Sequence, residues 1–168
     1  IELLNKHNKW EKSFDIAEQY LEGDEITRLF GDVATKLEED KKFRDAEKVY
    51  IIMSQPDKAI EMYRNVEMYD AMIRLVERYH KEHLEATHLQ LARQLEEKGR
   101  LKNAEVHFVA AGDWKSAVHA YCSAGKFEEA FRVSKQKGSD GASNQVAYMW
   151  AKSLPSVDGA ARLLTKMG

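Results

Sequence analysis

The chain has 168 residues, a formal net charge of −2, one cysteine, and 32% charged residues beside 43% hydrophobic ones. This balance excludes a disordered chain and a strongly basic nucleic-acid-binding surface. No apolar run approaches the ~18 residues that a membrane-spanning helix needs. The length and the composition together predict a helical protein of one domain.

The predicted helices begin with a short one at the N-terminal end. Trp10, Phe14 and Ala17 occupy the i, i+4 and i+7 positions of one helix face, and Ser13 fills the i+3 position. A longer helix follows, because apolar residues continue along one face from residue 26 to residue 37. Its stripe consists of Ile26, Leu29, Phe30, Val33, Ala34 and Leu37.

Three short helices come next, and the pattern of one long and three short helices then recurs. Thirteen residues separate successive short helices, which predicts ten helical residues and a three-residue turn. The predicted starts of the short helices are Phe43, Pro56, Tyr69, Leu101, Trp114 and Phe127. The further long stripes begin at Leu84 and Ser143, and the last short stripe is Ala160, Leu163, Leu164 and Met167.

The recurrence is also visible as identities, because residues 34–76 align with residues 92–134 without a gap. The pairs, all 58 residues apart, are Ala34/Ala92, Leu37/Leu95, Glu38/Glu96, Glu39/Glu97, Ala46/Ala104, Glu47/Glu105, Ala59/Ala117, Tyr63/Tyr121 and Arg74/Arg132. A ten-residue helix cannot bury its own stripe, so its neighbours must cover it. We therefore predict an all-α solenoid of stacked antiparallel hairpins, similar to tetratricopeptide repeats, in a right-handed superhelix.

This solenoid is predicted to be a single helical-repeat segment with units at about 10–68, 69–126 and 127–168. A small residue at the third position of nearly every short helix lets the next helix approach, so Ala104 and Ala117 should be buried at helix contacts. The run from Gly138 to Gly141 is predicted to be a loop.

Neither end of the chain resembles a polar capping helix. Trp10 and Phe14 lie at one end, and Leu163, Leu164 and Met167 lie at the other. We expect the segment to continue as a longer solenoid on both sides and to self-associate through its ends. Extension by one unit should raise the melting temperature.

Three histidines within nine residues suggest a metal site, but their positions do not favour one. His80 and His83 are predicted to straddle a turn as solvated residues, and His88 lies on the apolar stripe at the edge of the core. We expect no bound zinc.

The remaining reactive residue types are also explained by the repeat. Glu38-Glu39 and Glu96-Glu97 are paired carboxylates, but they recur in charged runs and are predicted to form a solvated face. Cys122 is predicted to be a buried thiol. The sequence shows neither the residue order of a catalytic triad nor a phosphate-binding loop. We therefore predict that the chain is not an enzyme, binds no cofactor and has no catalytic, metal-binding or cofactor-binding residue. The partner-binding residues are not assigned.

Several blocks of the sequence resemble the helical-repeat region of the intraflagellar transport protein 172 family, and together they cover nearly the whole chain. The blocks are Phe43–Tyr50, Pro56–Tyr63, Tyr69–Val76, Thr87–His88, Gly125–Val133 and Val146–Lys152. The resemblance implies a subunit of the intraflagellar transport B complex, with other transport subunits as partners and a location in the cilium and at its base, on the cytoplasmic side. It implies no catalytic motif.

Two functions are compatible with this reading. The first is a scaffold segment that spaces and contacts other train subunits. The alternative is an adaptor module that captures a short peptide in a concave groove. An inner face filled by alanine and aromatic packing favours the scaffold, whereas uncommitted Tyr, Asn or Arg side chains favour the adaptor.

Overall fold

The computed structural model describes residues 1–7 and 9–167, and the regular structure within these ranges is helical, without a β-strand. A 3₁₀ turn, Lys81–His83, separates α6 from α7. The helices are α1 Glu2–Lys6, α2 Trp10–Tyr20, α3 Gly23–Glu39, α4 Phe43–Ile52, α5 Pro56–Asn65, α6 Tyr69–Tyr79, α7 Leu84–Glu97, α8 Leu101–Ala110, α9 Trp114–Ser123, α10 Phe127–Lys137, α11 Asp140–Ser153 and α12 Val157–Met167.

The helices form two compact units, Ile1–Lys81 with α1–α6 and Glu82–Gly168 with α7–α12. In the first unit, α2 contacts α3 and α4, and each helix from α3 to α6 packs against its neighbour in the chain. In the second unit, each helix from α7 to α12 packs against the next. Successive packing of neighbouring helices confirms the predicted all-α helical-repeat solenoid.

The predicted starts of all six short helices are confirmed, because α4, α5, α6, α8, α9 and α10 begin at those residues. The small residues at their contacts are buried as predicted, and Ala104 and Ala117 each expose 1% of their surface. Aromatic side chains also pack against each other within each unit. Phe14 meets Phe30 edge-on in the first unit, and Phe127 stacks on Trp150 in the second, with ring centroids 5.1 and 6.5 Å apart.

Two features differ from the sequence prediction. Helix α1 was not predicted, because five residues are too few to show an apolar stripe. The loop predicted from Gly138 to Gly141 is wrong in its second half, since α11 already begins at Asp140. Ser139 is the N-cap residue, and its hydroxyl accepts a hydrogen bond from the backbone N–H of Ala142 at 3.4 Å. This serine cap stabilises the first turn of α11, so the helix begins within the polar run.

The turns after the helices repeat as closely as the helices do. Lys41, Ser54 and Glu67 adopt positive φ angles of 59°, 55° and 57°. The residues 58 positions later are glycines with the same conformation, Gly99, Gly112 and Gly125. In both repeats, the backbone N–H of the residue after each positive-φ residue donates to a carbonyl in the last turn of the preceding helix. The N–H of Gln55, for example, donates to the Tyr50 carbonyl at 2.9 Å. This is the Schellman ending, whose left-handed residue is ordinarily glycine.

We expect Ser54→Gly to raise the free energy of unfolding by about 0.5–1 kcal/mol. A left-handed conformation costs a residue with a Cβ roughly 1–2 kcal/mol, and the greater freedom of glycine in the unfolded chain offsets part of the gain. Gly112→Ala, the matched change in the second unit, should lower the free energy of unfolding by a similar amount. No atom lies within 4 Å of a Cβ added at Gly112, so that loss reports backbone conformation alone. Urea denaturation of both variants measures the difference, and a lower midpoint for Ser54→Gly would contradict this account.

Candidate protein-interaction site

A carboxylate on α4 connects three successive helices of the first unit. The hydroxyl of Tyr63, on α5, donates to Glu47 Oε2 at 2.6 Å, and Arg74 Nη2, on α6, lies 2.6 Å from the same oxygen. Tyr63 is buried and only 15% of the Glu47 side chain is exposed, while the Arg74 side chain is 59% exposed. The bridge thus extends from the helix contact to the surface.

The second unit contains the same bridge at residues 58 positions later. Tyr121 donates to Glu105 Oε2 at 2.7 Å, and Arg132 Nη2 lies 2.6 Å from that oxygen. Three of the nine identities in the sequence repeat therefore form one structural element. Its Tyr hydroxyl is bonded at the helix contact, and its Arg side chain is bonded to the same carboxylate at the surface.

The phenols of the two bridges remain protonated. Burial, followed by the hydrogen bond to Glu47, raises the pKa of Tyr63 well above its usual value, and burial and Glu105 do the same for Tyr121. The hydrogen bond to Glu105 also raises the pKa of Arg132. Each tyrosine hydroxyl thus donates to a carboxyl oxygen, which is a structural use of the group.

The predicted solvated face at Glu38-Glu39 is wrong for the first of these residues. Glu38 is half-buried at the end of α3 and accepts a short hydrogen bond from the Tyr50 hydroxyl, whereas Glu39 is exposed. Burial raises the pKa of Tyr50 above its usual range, and Glu38 adds to the shift. Phe108 stands in place of Tyr50 in the second repeat, so Glu96 receives no equivalent bond.

The candidate histidines do not all contact one another, and each has a near neighbour of its own. His80 is half-buried rather than solvated, and its Nε2 lies 2.7 Å from Asp57 Oδ1; the exposed His83 lies 3.7 Å from Glu82. His88 meets His107, with 2.9 Å between their Nδ1 atoms. Sequence reasoning missed His107, which is buried where the first repeat has Val49.

These contacts do not assemble a recognisable reactive site in the described residues. No group of three or more His, Cys, Asp or Glu side chains in that part of the chain is arranged to hold a metal ion. Cys122 is half-buried, and burial raises the pKa of its thiol, which opposes formation of the reactive thiolate.

A surface groove of about 510 Å³ lies in the first unit, between the start of α2 and the ends of α4 and α6. Its apolar lining comes from Trp10, which is 5% exposed, and from the half-buried Ile51, Ile52 and Tyr79. The volume is within the range of about 300–1,000 Å³ that ligand pockets have. We call this feature the basic groove, because of its charged lining.

Four cations and two carboxylates line the basic groove. The cations are Lys9, Lys12, Lys48 and Arg78, and the carboxylates are Glu11 and Glu47. Glu47 belongs to the bridge with Tyr63 and Arg74, and the exposed Lys48 lies 2.9 Å from Asp45. Among the described residues no carboxylate lies within ion-pair distance of the other three cations, so the groove retains a positive charge.

Stacked hairpins, joined by side-chain bridges within each unit, define an α-solenoid, the class of helical-repeat proteins. Within residues 1–7 and 9–167, no helix has both the length and the apolar character that crossing a bilayer requires.

The comparison with known proteins identifies the particular family. The chain is 62% identical over 168 residues to the intraflagellar transport protein 172 homolog of Drosophila melanogaster and 40% identical to that of Mus musculus. It is 44% identical over 170 residues to intraflagellar transport protein 172 of Chlamydomonas reinhardtii. No protein-family model matches the chain. The chain belongs to the intraflagellar transport protein 172 family, and it spans about 10% of the length of these relatives.

Proposed function

We propose that this chain is a non-catalytic scaffold segment of a subunit of the intraflagellar transport B complex, and that it contributes to train assembly. Its partners are other intraflagellar transport subunits. It acts in the cilium and at the ciliary base, on the cytoplasmic side. The observation that carries the proposal is the match of the whole chain to intraflagellar transport proteins at up to 62% identity.

The packing supports a scaffold more than an adaptor that uses its whole inner face. An adaptor would present Tyr and Arg side chains to a peptide, but here those of the two bridges are hydrogen-bonded to a glutamate of their own unit. They are Tyr63, Tyr121, Arg74 and Arg132. Alanines fill the helix contacts. Each unit held in this way keeps a fixed spacing between its own surfaces, which suits a scaffold.

One observation favours the alternative, a peptide-binding adaptor. The basic groove of the first unit is open, has an apolar floor and carries cations that the repeat packing does not use. The two functions are compatible if the scaffold also captures a segment of a partner at this groove.

The proposed function predicts that the chain, used as bait in an extract of ciliated cells, recovers intraflagellar transport B subunits. Quantitative mass spectrometry should find these subunits enriched over a control bait, a helical-repeat protein of equal length and net charge from an unrelated family. Enrichment should be lost in extracts of cells that do not form cilia and do not express the subunits. Equal recovery of the subunits on both baits would contradict the proposal.

A further inference from the structure

The basic groove is not required by the repeat architecture. Its cations have no basic counterparts at the equivalent positions of the next repeat, whereas the bridge residues are kept. Lys9, Lys12, Lys48 and Arg78 correspond to Met68, Ala71, Val106 and Gln136 at offsets of 58 or 59. These equivalent positions lie in helices or at a helix N-cap without the charges, so helix packing does not explain them.

Most of the apolar lining of the groove, in contrast, follows the repeat. Trp10, Ile51 and Ile52 correspond to Tyr69, Val109 and Ala110, which are also apolar or aromatic, whereas Tyr79 corresponds to Lys137. The groove thus combines an apolar surface common to the fold with a charge that is particular to this place in the chain. Half-buried apolar side chains in an open groove, next to cations without a carboxylate partner, have the character of a binding surface.

We propose that the basic groove binds an acidic segment of a partner protein, with an apolar side chain over Ile51 and Ile52 and flanking carboxylates facing the cations. The inference rests on the proposed role of the chain as a protein-binding segment, and it adds the chemistry of one partner. Lys9 and Lys12 approach such a segment from α2, and Arg78 approaches it from α6.

Charge complementarity determines this choice of occupant. A basic segment would place its charges beside Lys9, Lys12 and Arg78, which repel it. A nucleic acid would be attracted by the same cations, but its sugar–phosphate backbone has no aliphatic side chain to cover Ile51 and Ile52. A carboxylate-bearing peptide with an apolar anchor satisfies both the charge and the floor.

The test is a fluorescence anisotropy titration of the whole chain with the fluorescein-labelled peptide Glu-Asp-Leu-Glu-Asp-Ile-Glu. We expect saturable binding that weakens as the salt concentration rises. The double variant Lys12→Glu/Arg78→Glu should weaken binding at least tenfold. The matched double variant Lys36→Glu/Lys58→Glu makes the same charge change at exposed positions of α3 and α5 outside the groove, and it should retain binding.

Two further probes test the chemistry of the occupant. A peptide with Gln and Asn in place of Glu and Asp should not bind, and a peptide with Gly in place of Leu and Ile should bind more weakly. Circular dichroism of each variant confirms that the fold is kept. Absent saturable binding, an equal loss in both double variants, equal binding of the neutral peptide, or tighter binding of a labelled oligothymidine of the same charge would each overturn the proposal.

The two proposals fail in different ways. If the bait recovers transport subunits but the acidic peptide does not bind, the inference about the basic groove is wrong and the scaffold function stands. If neither experiment succeeds, the protein-binding role itself is wrong.

Discussion

Replacing Ala117 by leucine should lower the free energy of unfolding by about 1–3 kcal/mol, because added methylene groups overpack a close helix contact. Ala117 lies in α9, exposes 1% of its surface, and has its methyl group against the neighbouring helices. The leucine must move its neighbours or adopt a strained rotamer. The measurement is the urea midpoint followed by tryptophan fluorescence, since Trp114 and Trp150 both lie in the second unit.

The control for this experiment is Ala86→Leu, the same chemical change on the exposed face of α7 in the same unit. It should leave the midpoint almost unchanged, because surface substitutions usually shift stability by less than about 0.5 kcal/mol. Ala59→Leu, at the equivalent buried position of the first unit, should reproduce the loss. Equal midpoints for Ala117→Leu and Ala86→Leu would show that the assigned helix register is wrong.

Glu105→Ala should lower the free energy of unfolding by about 1–3 kcal/mol, because it leaves the buried Tyr121 hydroxyl without its acceptor. The ion pair to Arg132 adds little to this loss, since 44% of the arginine side chain is exposed and solvent screens the pair. Urea denaturation measures the change. Glu97→Ala, at an exposed position of α7, is the matched control and should have a small effect.

A double-mutant cycle separates the hydrogen bond from other effects of the glutamate change. Tyr121→Phe alone removes the donor, and in that background Glu105→Ala should cost less than it does in the unchanged chain. We expect a coupling energy of about 1 kcal/mol, within the range for side chains in contact. The corresponding pair in the first unit, Glu47→Ala and Tyr63→Phe, should give a similar value. Strictly additive losses in both units would show that the bridge is not an energetic unit.

Most of the fold could be predicted from the sequence, because the helices of a solenoid follow from local periodicity. Thirteen-residue spacing and apolar stripes were enough to predict the first residue of six helices, from Phe43 to Phe127. Helix α1 is too short to carry a stripe, and the cap at Ser139 depends on one hydrogen bond, so periodicity could not indicate either feature.

The interaction site was less predictable, because its residues come together only when helices pack. Glu47, Tyr63 and Arg74 all recur at the same offset of 58, which was a visible signal that they share a role. Their separations of 16 and 27 residues, however, do not reveal that they meet at one oxygen. The basic groove draws on α2, α4 and α6, and the position of three helix ends is set by crossing geometry that the sequence pattern does not specify.

The bridge at Glu47 has a consequence for the order in which parts of the chain open. Because one oxygen accepts from α5 and α6 while its own residue belongs to α4, none of these helices can detach without breaking that shared contact. Amide protons of α4–α6 should therefore exchange with solvent as one cooperative block. The side-chain hydrogen bonds described for α12, from Gly159 and Thr165, stay within α12 and its own cap residue, and its amides should exchange independently and earlier.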